Sequence, residues 1–304
     1  MLGSMQRRGF LKITLPLAIA GSARAEVTNG PDLVFGVIAD PQYADADPKW
    51  GRFYRNSLAK LETAVADLNS QPLEFVTTLG DLIDRDFKSF AAVMPIYEKL
   101  GHPHHPVCGN HDFEVADADK GKVLAAMKLE NPYYSKTVKN WRFLFLDGTD
   151  VALWRQPADH PGTAAAKEAL EILQDMKLPQ AKDYNAAIGE TQMKWLAGEL
   201  DAAKATGQRV IVFNHYPVFP AGLDPNLWNA GELVSLFEKY ENIAAYMNGH
   251  NHAGNYGKHG GCHYVNFKGM VETETETAYA IVKCFADRLE IEGTGLEPDR
   301  KLGA

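Results

Sequence analysis

The chain has 304 residues and is acidic, with 31 basic and 39 acidic side chains and a formal net charge of −8 at pH 7. Four of the basic residues and none of the acidic ones lie in residues 1–25. The remainder therefore has 27 basic and 39 acidic side chains, a net charge of −12. This negative charge argues against nucleic acid as a partner, because affinity for nucleic acid depends on basic side chains that neutralise phosphates.

Residues 1–25 have the pattern of a removable export signal. Residues 7–12 read Arg-Arg-Gly-Phe-Leu-Lys, an apolar stretch at 13–21 is too short to span a bilayer, and Ala-Arg-Ala at 23–25 has the form of a cleavage site. The twin arginines resemble a twin-arginine signal, with Gln6 where Ser or Thr is more usual. We therefore expect use of the twin-arginine export machinery and a bacterial periplasmic location. The alternative is a basic, disordered N-terminus.

The remaining residues, 26–304, alternate strand and helix patterns and are predicted to form a single domain. Apolar runs typical of buried strands occupy residues 33–39, 75–79, 142–147, 209–213 and 243–247. Helical patterns occupy residues 57–68 and 189–205, and closing antiparallel strands are predicted at 262–268 and 279–291. The fold class is therefore α/β. An insertion at 154–188, with a helix predicted at 164–176, either covers a site or packs beside one. No run reaches the roughly 18 apolar residues of a membrane span.

The cysteines exclude two classes of small domain. There are three, Cys108, Cys262 and Cys284, with no Cys-x-x-Cys pair, so neither a zinc knuckle nor a disulfide-built scaffold is expected. Cys262 and Cys284 lie on flanking predicted strands and could pair. The alternative is three free, buried thiols.

Five short motifs place polar side chains directly after apolar runs. They are Asp40-Pro41-Gln42, Gly80-Asp81, Gly109-Asn110-His111-Asp112, Asn214-His215 and Gly249-His250-Asn251-His252. A single Gly-Asp or Asn-His pair is commonplace. Five such motifs carrying carboxylate, amide and imidazole groups indicate a divalent metal site, because a folded sheet can bring strand ends to one point.

In this order the motifs resemble the signature of the calcineurin-like metallophosphoesterases, with Gln42 where a histidine is usual. The resemblance implies a four-layer α/β/β/α sandwich with two mixed sheets and two metal ions at the carboxyl ends of the strands. The side chains that match the two ligand sets are Asp40, Gln42, Asp81 and His252 for one ion, and Asp81, Asn110, His215 and His250 for the other.

The resemblance also implies roles within the site. Asp81 matches the ligand that bridges the two ions. His111 matches the residue that protonates the leaving oxygen or steadies the phosphoryl charge, and Asp112 is expected to orient it. The alternatives are that His215 and His250 are ordinary buried histidines, and that Asp112 is a turn or cap residue.

Gln42 points to one group within the metallophosphoesterases. An amide oxygen is a harder and weaker donor than imidazole, so Mn²⁺ is expected to be favoured, with Mg²⁺, Fe or Zn²⁺ as alternatives. The pattern of residues 40–45, with Arg52, Tyr54 and Arg55 after it, resembles the manganese-dependent ADP-ribose/CDP-alcohol diphosphatases, and the likeness continues to Glu272. This implies hydrolysis of the pyrophosphate bond of a nucleoside diphosphate derivative.

Four side chains are predicted to contact the substrate: Tyr43, Trp50, Arg55 and His105. Residues 47–52 are shorter than in that family, which has a base-stacking aromatic there, and Trp50 is the expected substitute. His105 is expected to contact the substrate phosphate, and the alternative is that it belongs to a proline-rich loop without such a role. The rival functions are a broad phosphomonoesterase or phosphodiesterase and a non-catalytic metal- or phosphate-binding protein.

Overall fold

The structure, a computed structural model, describes residues 30–303, and the predicted export signal lies outside this range. The strands are β1 (Leu33–Ile38), β2 (Val76–Thr78), β3 (Tyr134–Val138), β4 (Trp141–Phe145), β5 (Arg209–Phe213), β6 (Ile243–Asn248), β7 (Asn255–His259), β8 (Cys262–Asn266), β9 (Ala278–Cys284), β10 (Arg288–Gly295) and β11 (Arg300–Gly303). The helices are α1 (Ser57–Leu68), α2 (Phe90–Tyr97), α3 (Asp117–Lys120), α4 (Val123–Ala126), α5 (Pro161–Asp175), α6 (Glu190–Ala205) and α7 (Ala230–Phe237).

The strands form two mixed sheets. The first has the order β11-β10-β9-β1-β2, in which only β1 and β2 are parallel neighbours. The second has the order β3-β4-β5-β6-β8-β7, with a parallel centre and antiparallel edge strands. The sheets pack face to face and carry helices outside, so the predicted α/β/β/α sandwich is confirmed.

Side chains alternate along each strand, so one strand contributes apolar residues both to the core between the sheets and to the core beneath the helices. Phe35 on β1 points between the sheets and stacks on Phe75 at a ring distance of 5.0 Å, whereas Ile38 packs on the outer side with α1. Phe143 of the second sheet meets Phe75 edge-on at 4.9 Å. This aromatic centre joins the two sheets through contacts between their facing sides.

The outer layers have cores of their own. Helices α1 and α2 cover the first sheet, and α6 and α7 cover the second. Helix α5, in the 154–188 insertion, packs its buried Ala166 and Leu170 near Trp228 in a small separate cluster. No helix within residues 30–303 has the length and apolarity to cross a membrane.

The topology brings the five motifs to one edge. The motifs at Asp40 and Asp81 follow the parallel strands β1 and β2, and those at His215 and His250 follow the parallel strands β5 and β6. Residues 103–107 run beside β2, with the amides of His105 and Val107 donating to its carbonyls, so the loop that begins at Gly109 leaves at the same edge. Carboxyl ends of parallel strands meet in space, which places all five loops together.

Two expectations for the C-terminal strands need correction. The single run predicted at 279–291 is a hairpin of β9 and β10, and β8 is antiparallel to β7 but parallel to β6.

A disulfide between Cys262 and Cys284, which the sequence left open, is not formed. Cys284 faces the core between the sheets, while Cys262 packs on the outer face of the second sheet. All three cysteines are buried free thiols.

Candidate metal centre

The backbone is strained at the motif residues. Asp40, Gln42, Asp81 and His250 have φ between 46° and 65°, the left-handed region that residues with a Cβ rarely adopt. Each such residue costs on the order of 1–3 kcal/mol, and such strain concentrates at functional sites. Gly80, at φ 87°, is required where it stands, because a Cβ there would lie 2.6 Å from Nδ1 of His215.

One group of side chains converges on His215. Its Nε2 lies 3.1 Å from Oδ1 of Asn110 and 3.4 Å from Oδ2 of Asp81. Nδ1 of His250 lies 3.1 Å from the same nitrogen. The Nδ1–H of His215 donates to the carbonyl of Leu79 at 2.7 Å, so neutral His215 offers the lone pair of Nε2 to this point. Atoms that carry lone pairs repel one another when they converge, unless a cation lies between them, so this is the arrangement expected of metal ligands.

A second group adjoins the first through Asp81. Asp40, Asp81 and His252 each offer a ligand atom within 4.8 Å of the others. Gln42 is fully buried, and its Oε1 and Nε2 have no hydrogen-bond partner among residues 30–303. A buried amide without partners is costly, and a metal ion would give its oxygen Oε1 a partner. The donor set and this orphaned amide therefore fit a second ion beside the first.

The electrostatics of the cluster favour positive charge. Asp40 and Asp81 are buried carboxylates, which are unfavourable unless paired with a cation. Burial lowers the pKa of His215, but Asp81 and Asp40 outweigh it and raise the pKa to about 9. Beside them, the Nδ1–H of His252 donates to Glu272 at 2.7 Å, which directs Nε2 toward Asp40 at 3.6 Å.

His111 stands at the edge of the cluster with its own partners. Its Nδ1 lies 3.2 Å from Oδ1 of Asp84 and 3.3 Å from Oε2 of Glu114, and its amide donates to Asp81 at 2.9 Å. Burial lowers the pKa of His111, but these three carboxylates outweigh burial and raise it well above its ordinary value. Its Nε2 faces the cavity, 3.4 Å from Nη1 of Arg52. His111 is therefore placed to hold a proton beside the cluster.

Asp112 does not orient His111, contrary to the prediction. Its carboxylate is fully buried and accepts the amides of Gly109 and Asp81 on one oxygen, at 2.9 and 3.0 Å. The other oxygen accepts the amide of Leu82 at 2.8 Å. Because both oxygens of Asp112 accept backbone amides, this carboxylate joins two of the motif loops. The carboxylate that orients His111 is that of Asp84.

An open cavity of about 520 Å³ lies over the cluster. Its wall includes Asp81, Asn110, His111, His250 and His252, together with Trp50, Arg52, Glu114, Tyr184 and Glu272. Among the predicted substrate contacts only Trp50 lines it, and its side chain is 76% exposed.

The other three predicted substrate contacts lie elsewhere. Tyr43 packs in the outer core of the first sheet, and Arg55 is paired with Asp45 and Asp47 on the surface. His105 packs against the rings of the aromatic core and lines a different cavity. These three predictions are corrected, since each side chain is engaged away from the cluster, and Arg52 is the arginine at the cavity.

Sequence patterns did not single out several residues that line the cavity or support its wall. Asp84 had a signal, since it follows Gly80-Asp81 by three positions, and Glu114 follows His111 by three. Tyr184 and Asn185 had none, because both end the 154–188 insertion, where no motif marks them.

Comparisons with known proteins agree with this geometry. Residues 33–254 match the family model of the calcineurin-like phosphoesterases. The manganese-dependent ADP-ribose/CDP-alcohol diphosphatase of Arabidopsis thaliana is 31% identical over 299 residues, covering 87% of this chain and 94% of the relative. The mouse protein of the same name is 28% identical, covering 89% and 93%. A dimetal phosphatase from Danio rerio shares the fold, with a TM-score of 0.81 at 24% identity over 90% of this chain and 99% of that one.

Proposed function

Because the chain belongs to the calcineurin-like phosphoesterase family, a family of metal-dependent hydrolases, we propose that it cleaves the pyrophosphate bond of nucleoside diphosphate derivatives such as ADP-ribose or CDP-alcohols. The observation that carries this proposal is the buried cluster of carboxylate, amide and imidazole groups that opens into the cavity. The diphosphatases of Arabidopsis and mouse supply the substrate class.

Two divalent ions are the cofactor, and Mn²⁺ is proposed to give the highest activity. The residues proposed to hold them are Asp40, Gln42, Asp81 and His252 for one ion, and Asp81, Asn110, His215 and His250 for the other. When bound, such ions activate water as a nucleophile near neutral pH and stabilise charge on the phosphoryl oxygens. Asp81 belongs to both groups of converging ligand atoms, which supports its bridging role.

The protein's own side chains supply the remaining chemistry. Asp84 and Glu114 hold His111 with a raised pKa, so His111 carries a proton that its Nε2 can give to the leaving oxygen. Arg52 lies beside that nitrogen and presents a guanidinium suited to a phosphate group. Trp50 at the rim offers an aromatic face for a nucleobase.

An assay of the purified protein with Mn²⁺ tests the proposal. The substrates are ADP-ribose, CDP-choline, CDP-glycerol and p-nitrophenyl phosphate. We expect kcat/KM to be highest for a nucleoside diphosphate derivative and activity to disappear after chelation. Faster turnover of p-nitrophenyl phosphate than of every diphosphate would favour the broad phosphomonoesterase instead. Full activity after exhaustive chelation would exclude a metal-dependent reaction.

Substitution of Trp50 separates the substrate class from the chemistry. Because stacking on a nucleobase contributes about 1–3 kcal/mol, Trp50→Ala is expected to lower kcat/KM for ADP-ribose by roughly 5- to 150-fold. Hydrolysis of p-nitrophenyl phosphate, which has no nucleobase, is expected to stay unchanged. Tyr256→Ala is the control, since this tyrosine is also partly exposed but lies outside the cavity. Equal losses on both substrates would contradict the stacking role.

Substitution of Gln42 tests the metal preference. Gln42→His restores the ligand that is usual in the family, so affinity for Zn²⁺ or Fe should rise and the preference for Mn²⁺ should relax. The measurement is activity and metal content after reconstitution with each ion. An unchanged metal profile would show that the Gln42 amide is not a ligand.

We also propose that residues 1–25 direct export through the twin-arginine machinery to a periplasm. The support is the residue pattern at 7–12 and 23–25. The test is a fusion of residues 1–25 to a reporter that is active only when it is exported in folded form. The control is the same fusion with the arginines at 7 and 8 replaced by lysines. Equal export of both fusions would contradict the twin-arginine route.

A further inference from the structure

The end of the 154–188 insertion reaches one of the proposed metal ligands. Asn185 is fully buried, and its Oδ1 lies 3.1 Å from Nε2 of His250. His250 turns its other nitrogen, Nδ1, to the cluster, 3.1 Å from Nε2 of His215. Asn185 thus lies behind His250, on the side away from the metal centre.

The hydrogen bonds of Asn185 determine which way its amide points. Its Nδ2 donates to the carbonyls of Gln180 and Asp224, at 3.0 and 2.6 Å. Both partners are acceptors only, so the NH₂ group must face them and the oxygen must face His250. The nitrogen of His250 that meets this oxygen must therefore be a donor.

The tautomer of His250 follows. With the proton on Nε2, neutral His250 has its lone pair on Nδ1, the atom that faces Asp81 and His215. We propose that Asn185 is a positioning residue that sets the tautomer and ring orientation of His250, so that the insertion completes the metal site. This inference rests on the proposed function, because His250 matters in this way only as a ligand.

The segment around Asn185 is anchored firmly enough for this role. The carbonyl of Tyr184 accepts a hydrogen bond from the hydroxyl of Tyr216 at 3.0 Å, and the carbonyl of Ala186 accepts the amide of Trp228 at 2.8 Å. Asn185 is therefore fastened on both sides to residues of the loop that follows β5. Partners behind a ligating histidine typically change metal affinity or activity by about 10- to 100-fold when removed.

Two variants of Asn185 separate positioning from simple packing. Asn185→Leu and Asn185→Asp both lose the amide donors to Gln180 and Asp224, but only Asn185→Asp keeps an oxygen acceptor for His250. We expect titration with Mn²⁺ to show one of two sites weakened by about 10- to 100-fold in Asn185→Leu. Asn185→Asp should bind both ions with nearly wild-type affinity. Asn185→Ala, which removes the acceptor without adding a branched side chain, is measured in parallel in case the leucine variant does not fold.

A control variant loosens the same segment without touching His250. Asn229 holds Ile188 by two hydrogen bonds, at 3.2 and 2.9 Å, so Asn229→Ala should lower the melting temperature and leave Mn²⁺ affinity unchanged. If Mn²⁺ affinity falls equally in the aspartate, leucine and alanine variants of Asn185, or falls in none of them, the inference is overturned. Two ions bound by the wild type would in that case still support the proposed function. Fewer than two ions in the wild type would overturn both.

Discussion

Asp81→Ala is expected to abolish hydrolysis and to empty at least one metal site. The Asp81 carboxylate belongs to both groups of converging ligand atoms, and its Oδ1 also accepts the amide of His111. Burial raises the pKa of Asp81, but His215 and His111 outweigh it, so the net shift is downward and the carboxylate is ionised. Removing it takes from both ligand groups the one carboxylate that they share, and a bridging carboxylate holds two metal ions together.

Metal content after gel filtration, measured together with activity, checks this expectation. Asp81→Asn serves as a variant of equal volume, and it too should lose metal because an amide has one oxygen instead of two. Asp86→Ala is the matched control: this carboxylate lies on the same loop, is partly exposed and, among residues 30–303, bonds only to Lys88. Two ions retained by Asp81→Ala would contradict the bridging role.

His111→Ala is expected to lower kcat by about 10²- to 10⁴-fold while two ions remain bound. The side chain contacts Asp84 and Glu114 and reaches the cavity through Nε2, and it belongs to neither of the two groups that contain Asp81. The loss should shrink for p-nitrophenyl phosphate, because p-nitrophenolate needs little protonation as it departs. Loss of metal, or equal impairment on poor and activated esters, would replace the general-acid role with a ligand or purely electrostatic one.

The pH profile gives a second measure of the same role. The folded pKa of His111 is raised by its carboxylate partners, so the acid form is present at neutral pH and is lost as the pH rises through that value. Wild-type kcat should therefore fall on the alkaline side, and that fall should be missing in His111→Ala. His259→Ala is the control, since this histidine pairs with Glu238 on the surface.

Local patterns in the sequence account for the fold class and for the metal cluster. Apolar runs that end in Asp40, Gly80 or Asn214 mark strands by themselves, because burial of a strand requires consecutive apolar residues. Helix α1 was predicted with its observed bounds, Ser57–Leu68, because its apolar residues recur at helical spacing. The ligand chemistry was equally local, since residue type decides whether a side chain can bind a metal.

Partners that are distant in sequence were decided by the tertiary structure. The carboxylate beside His111 is Asp84 and not its neighbour Asp112, because the tight turn after Gly109 directs Asp112 toward the backbone of residues 81–83. The arginine at the cavity is Arg52, because surface carboxylates engage Arg55. Adjacency in sequence does not determine direction in space, so no motif could distinguish these pairs.

The sequence by itself determined the α/β class, the five motifs and the side chains able to bind metal, since these depend on residue type and on periodicity over a few positions. Only the tertiary structure decided that Asn185, 65 residues before His250, lies behind that histidine, and that Tyr184 joins Trp50 in the cavity wall. Both outcomes depend on how the 154–188 insertion docks on the second sheet. Docking is a sum of long-range contacts, and no local pattern encodes it.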